Sequence, residues 1–84
     1  MNAERIRELI ETHLPGAVAE VAGDDGRHFE ARVICPAFAG KTPVQQHRMV
    51  YAALGEHMAD AIHALSLRTE APASGAGGQD GPAL

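Results

Sequence analysis

Few side chains in this sequence are equipped for chemistry: five histidines (His13, His28, His47, His57 and His63), a single cysteine, Cys35, and an acidic pair, Asp24-Asp25, between Gly23 and Gly26. Imidazoles ligate metals and move protons, but a self-sufficient metal site draws three or four ligands from clustered Cys, His and carboxylates. No His-x-x-x-His or Cys-x-x-Cys pair occurs, so any metal held by histidine here needs a second molecule to complete its shell. No Ser-His-Asp set can be placed and Cys35 has no activating neighbour, so no enzymatic activity is expected. Cys35 ends an apolar alternation and is expected in the core.

The stretch Ala22-Gly-Asp-Asp-Gly-Arg-His-Phe29 admits three readings. A calcium loop needs oxygen ligands at fixed intervals closing on a bidentate glutamate, and two adjacent acids do not supply them. Gly-x-x-Gly matches a loop that clamps nucleic-acid backbones, but Asp24 and Asp25 repel phosphate and the loop lies between strands rather than helices. A tight turn remains, made by residues that readily take turn backbone angles. Its value is positional. His28 opens the strand that follows and His63 opens a later one, so strands running in the same sense bring both starting ends to one sheet edge.

The elements that must do this positioning follow from periodicity. Ile6, Leu9, Ile10, His13 and Leu14 recur at helical spacing behind a capping Asn2, and Pro15-Gly16 ends that helix. His13 falls at its negative dipole end. Residues 17–22 and 28–35 alternate as two strands of a hairpin around Gly23–Arg27. Thr42-Pro43 marks the start of a second long helix, with Val44, His47, Val50, Tyr51, Leu54 and Met58 as its inner stripe and Gln46 towards the flank. A break near Gly55 or Asp60 splits it, leaving His47 and His57 to pack or face solvent. Ile62–Thr69 alternates as a third strand with Leu65 and Leu67 inward. The expected architecture is α+β, with helices on one face of a three-stranded sheet. Residues 1–70 form the domain and 71–84, rich in Ala, Gly and Pro, a disordered tail.

Composition narrows the function class. The net charge is −4, with six acidic and two basic residues in 1–26 but five basic and three acidic in 27–68. Strong non-specific nucleic-acid binding is disfavoured by that balance, although a weak basic face is allowed. No apolar run approaches the roughly 20 residues of a membrane-spanning helix. One cysteine and no apolar leader point to a reducing, cytoplasmic setting. The oligomeric state is open.

Three segments together resemble the BolA family: His28-Phe29 opening a strand, Phe38-Ala-Gly-Lys41 running into Val44-Gln-Gln-His-Arg-Met-Val-Tyr51, and His63-Ala64-Leu65 at the expected distance. The resemblance covers nearly all but the tail. It implies an αββααβ domain similar to the class II KH fold and partnership with a monothiol glutaredoxin. The pair would share a [2Fe-2S] cluster, with the glutaredoxin's cysteine and a glutathione on one side. The position of His63 supplies the principal ligand from this side, and His28 is the candidate for the second. This chain departs from many members in its short hairpin without an extra loop Cys or His, in Gln46 where Arg is frequent, and in Cys35 where Ser is common. The residues present agree with a shared cluster, because such a centre takes four ligands and this chain alone cannot provide them. The alternative implied function is transcriptional regulation through DNA, with Lys41 and Arg48 of the second long helix contacting phosphate or bases.

Overall fold

The computed structural model describes residues 1–23, 25–26, 28–60 and 64–72. Asp24, Arg27, Ile62, His63 and the expected tail beyond residue 72 lie outside the described residues. The order is α1 (Ala3–His13), β1 (Val18–Ala22), β2 (His28–Ile34), α2 (Pro43–Leu54), α3 (His57–Asp60) and β3 (Ala64–Glu70). The three strands form one sheet, β1-β2-β3. This is the α+β arrangement the periodicity predicts.

Local chemistry sets the element ends. Asn2 caps α1 by accepting from the Arg5 amide (2.8 Å), and at the other end the His13 Nδ1–H donates to the Leu9 carbonyl (2.9 Å). Arg7 donates to Glu4 and to Glu11, holding the exposed Glu4 carboxyl below its ordinary value mainly through that hydrogen bond. The other Glu11 oxygen accepts from the Ala19 amide at 3.0 Å and so ties α1 to β1. Thr42 and Gln45 form a reciprocal capping box with Pro43 in the first turn of α2. Gly55, at φ 58°, ends α2, the first of the two places where the sequence predicts a break.

The core lies between the helices and one sheet face. Ile6, Leu9, Ile10 and Leu14 of the α1 region meet Phe29 and Val33 of β2, Cys35, Phe38 from a 3-10 turn at Pro36–Phe38, and Val50, Ala53 and Leu54 of α2. Cys35 is fully buried, as its alternation predicts. Leu65 and Leu67 are half-buried against this cluster. The other sheet face is open and carries Glu20, His28, Glu30, Arg32, Ser66 and Arg68. Arg32 bridges it through Glu20 on β1 (3.8 Å) and Glu70 on β3 (3.3 Å).

The inner stripe of α2 differs from expectation. Val50 and Leu54 are buried and Met58 half-buried, but Val44 is 60% exposed and Tyr51 39%, while Gln46 faces inward at 9%. Hydrogen-bond partners explain the rotation. The Gln46 amide donates to the carbonyls of Phe38 (3.2 Å) and Lys41 (2.9 Å), and its oxygen accepts from the Thr69 hydroxyl at 2.7 Å. A buried amide satisfied on both ends loses little by leaving water. Gln46 thereby joins α2, the loop before it and β3.

Candidate functional site

The hairpin is antiparallel, with Val18 opposite Ile34 and Ala22 opposite Glu30. β2 and β3 run parallel, so that His28 stands opposite Ala64 and Ile34 opposite Glu70. This parallel sense is the condition under which the two strands begin at one edge, and it is met. His28 is the first residue of β2. Ala64 is the first of β3, and His63, which lies outside the described residues, directly precedes it in the chain.

Strand alternation puts Phe29 in the core and His28 on the open face, with its side chain 56% exposed. An open concavity of about 460 Å³ lies over this edge, walled in part by Gly23, Asp25, His28, Glu30, Ala64 and Ser66. Gly23 permits the tight approach of the hairpin: a Cβ there would lie 2.6 Å from the His28 carbonyl oxygen and 2.6 Å from Phe29 Cδ1. No side chain other than hydrogen fits.

Asp25, which the sequence marks only as a turn residue, does more than turn the chain. Its Oδ1 accepts from the His28 amide at 2.8 Å, and its Oδ2 lies 2.7 Å from His28 Nδ1. An aspartate three residues ahead of a histidine at a strand start is the sequence signal for this contact, and it reads equally well as ordinary turn chemistry.

The remaining histidines stand elsewhere. His13 ends α1, His47 lies on α2 with its ring 6.4 Å from Tyr51 edge to face, and His57 opens α3. Among the described residues no group of three or more His, Cys, Asp or Glu is placed to hold a metal ion. Cys35 is sealed in the core with its Sγ 3.8 Å from the Pro15 carbonyl, so its thiol is not presented to a ligand. The donor set at the sheet edge is therefore imidazole without thiolate. That fits a share of a four-ligand iron-sulfur centre completed from outside and does not fit a resident one. Lys41 and Arg48, the candidate nucleic-acid contacts, are both exposed, before and on α2. No helix of the described residues is long and apolar enough to cross a membrane.

Comparison with known proteins agrees with this architecture. A bolA protein homologue from Coxiella burnetii is 48% identical, with a TM-score of 0.78 over 86% of this chain and 92% of that one. The BolA domain of SufE1 from Arabidopsis thaliana is 36% identical, with a TM-score of 0.71 over 83% of this chain and 91% of that one. Among curated proteins, BolA-like protein 1 of Bos taurus is 35% identical over 77 residues, covering 81% of this chain and 57% of the relative. SufE-like protein 1, chloroplastic/mitochondrial, of Arabidopsis thaliana is 36% identical over 86 residues, covering 82% of this chain and 23% of the relative. The chain thus spans only part of the length of these two curated relatives. The family model described as BolA-like protein matches residues 8–74, from within α1 past the end of β3. A match over that span, on a fold shared with these BolA structures, makes this chain a member of the BolA family.

Proposed function

We propose that the protein is a non-catalytic adaptor in iron-sulfur cluster trafficking or iron sensing, which partners a monothiol glutaredoxin. In this reading His63 is the principal histidine ligand to a shared [2Fe-2S] cluster and His28 the second. The partner's cysteine and a glutathione complete the centre, and this chain holds none when alone. The carrying observation is the parallel register that sets His28 opposite Ala64, the residue after His63. Imidazole in place of thiolate on one iron raises the reduction potential and makes binding sensitive to pH, since a protonated ring cannot coordinate. A cytoplasmic setting accords with the buried free thiol. The Arabidopsis SufE-like relative, of which this match covers 23%, shows that a BolA domain also occurs as one module of a longer chain, as befits an adaptor.

The test is to mix the protein with a cluster-loaded monothiol glutaredoxin and compare wild type, His63→Ala and His28→Ala by visible absorption and circular dichroism. Each substitution is expected to alter the spectrum of the mixed complex, and spectra identical to wild type would remove that histidine from the site.

A second reading, DNA binding in transcriptional regulation, draws on one observation. Neither Lys41 nor Arg48 is within ion-pair distance of a carboxylate among the described residues. The net charge of −4 weighs against it. Gel-shift titration over salt decides, because phosphate contacts are strongest at low salt and absence of binding there ends that reading.

A further inference from the structure

We propose that Asp25 is the positioning residue for His28, fixing the tautomer and orientation of the ring so that Nε2 is its coordinating atom. The proposal rests on the reading of His28 as a ligand. One carboxylate grips the residue twice, at the backbone amide (2.8 Å) and at Nδ1 (2.7 Å). Two bonds from one rigid group fix both where the residue starts β2 and how its ring turns about χ1 and χ2. An ionised carboxylate only accepts, so Nδ1 must carry the proton. In the neutral ring the lone pair then sits on Nε2. Free histidine prefers the opposite tautomer, and Asp25 reverses that preference. The loop makes the grip possible, because Gly26 at φ 76° turns the chain back within the three residues from Asp25 to His28.

The chemical consequence is specific. A histidine that donates its second ring nitrogen to a carboxylate is a stronger and better-aimed ligand, and loss of such a partner costs roughly 10–100-fold in metal affinity. Asp25 itself coordinates nothing in this scheme. It acts through His28, whose ring it holds at Nδ1.

Two measurements test this on the full chain. Long-range proton–nitrogen correlation spectra of the imidazoles, taken at alkaline pH where the rings are neutral, are expected to show His28 protonated at Nδ1. Asp25→Ala is expected to return it to the Nε2-protonated form, and Asp25→Glu to restore part of the Nδ1 signal. A wild-type ring protonated at Nε2 overturns the proposal irrespective of any cluster. In the second measurement, Asp25→Ala is mixed with cluster-loaded monothiol glutaredoxin and the complex is titrated by visible circular dichroism. Affinity is expected to fall roughly 10–100-fold, with the spectrum moving towards that of His28→Ala. If the tautomer changes while affinity and spectrum stay those of wild type, and His28→Ala still alters them, Asp25 is not positioning the ligand. If His28→Ala changes nothing while His63→Ala does, the ligand role of His28 falls and the proposal with it. Unchanged far-ultraviolet dichroism of Asp25→Ala separates these outcomes from misfolding.

Discussion

Replacement of Gln46 by leucine is the sharpest test of how this domain holds its second helix against the sheet. The substitution keeps most of the side-chain volume and removes three hydrogen bonds, to Phe38, Lys41 and Thr69. At about 1 kcal/mol net apiece their loss amounts to about 3 kcal/mol. Two effects offset part of it. The Phe38 carbonyl still accepts from the Lys41 amide at 3.0 Å, and Lys41 is exposed, so water reaches its carbonyl. Leucine also buries apolar surface, worth about 1 kcal/mol beyond what the glutamine stem already contributes. The expected net loss is about 2 kcal/mol, which at a urea m-value of about 1 kcal/mol/M lowers the unfolding midpoint by about 2 M. Thr69→Val supplies the cycle: the two changes share one bond, so the double variant is expected to fall short of additivity by about 1 kcal/mol. Gln46→Glu adds a pH signature. A carboxylate facing the Phe38 and Lys41 carbonyls is repelled, and protonation restores a donor, so the folded protein raises the pKa of this introduced carboxyl. The penalty is then absent below the ordinary carboxylate range, about 4.3, grows as pH rises through it, and levels off once the folded value is passed. A Gln46→Leu midpoint within error of wild type, or strict additivity with Thr69→Val, would refute this account of the helix.

Two further outcomes follow from packing. Gly23→Ala pushes a methyl against the His28 carbonyl and the Phe29 ring at 2.6 Å, and a backbone oxygen cannot swing away. A loss of about 2 kcal/mol is expected, read as a drop of about 10 °C in the melting temperature, and a Tm equal to wild type would contradict the close approach. Cys35 has no exposed surface, so alkylation of the native protein should be slow and accelerate with urea in step with unfolding. Rapid labelling in buffer would show that the core opens locally around it.

Much of this fold is legible in local sequence because its local signals agree. Asn2 and Thr42-Pro43 cap their helices as their side chains and ring geometry dictate, and the β2 alternation from Phe29 to Val33 separates core from open face. The sense of β3 relative to β2 is not local. It depends on a crossover through α2 and α3, so the shared starting edge enters the sequence reading only as a condition. The rotation of α2 is hidden for a related reason. Apolar spacing selects Val44 and Tyr51, whereas carbonyls from Phe38 and Lys41 and a hydroxyl from Thr69 make Gln46 the better inward residue. Asp25 is likewise visible as a turn former, while its contact with the His28 ring exists only once the loop closes.

The parallel seam between β2 and β3 has a consequence for biosynthesis. Its partners lie 36 residues apart along the chain, as His28 and Ala64 do, so β2 leaves the ribosome long before the strand that covers its second edge. Until then a row of backbone donors and acceptors faces solvent beside Phe29 and Val33, a surface that invites strand addition by other nascent chains. Translation speed through residues 35–63, and chaperones that shield open sheet edges, therefore bear on the yield of this protein more than its small size suggests.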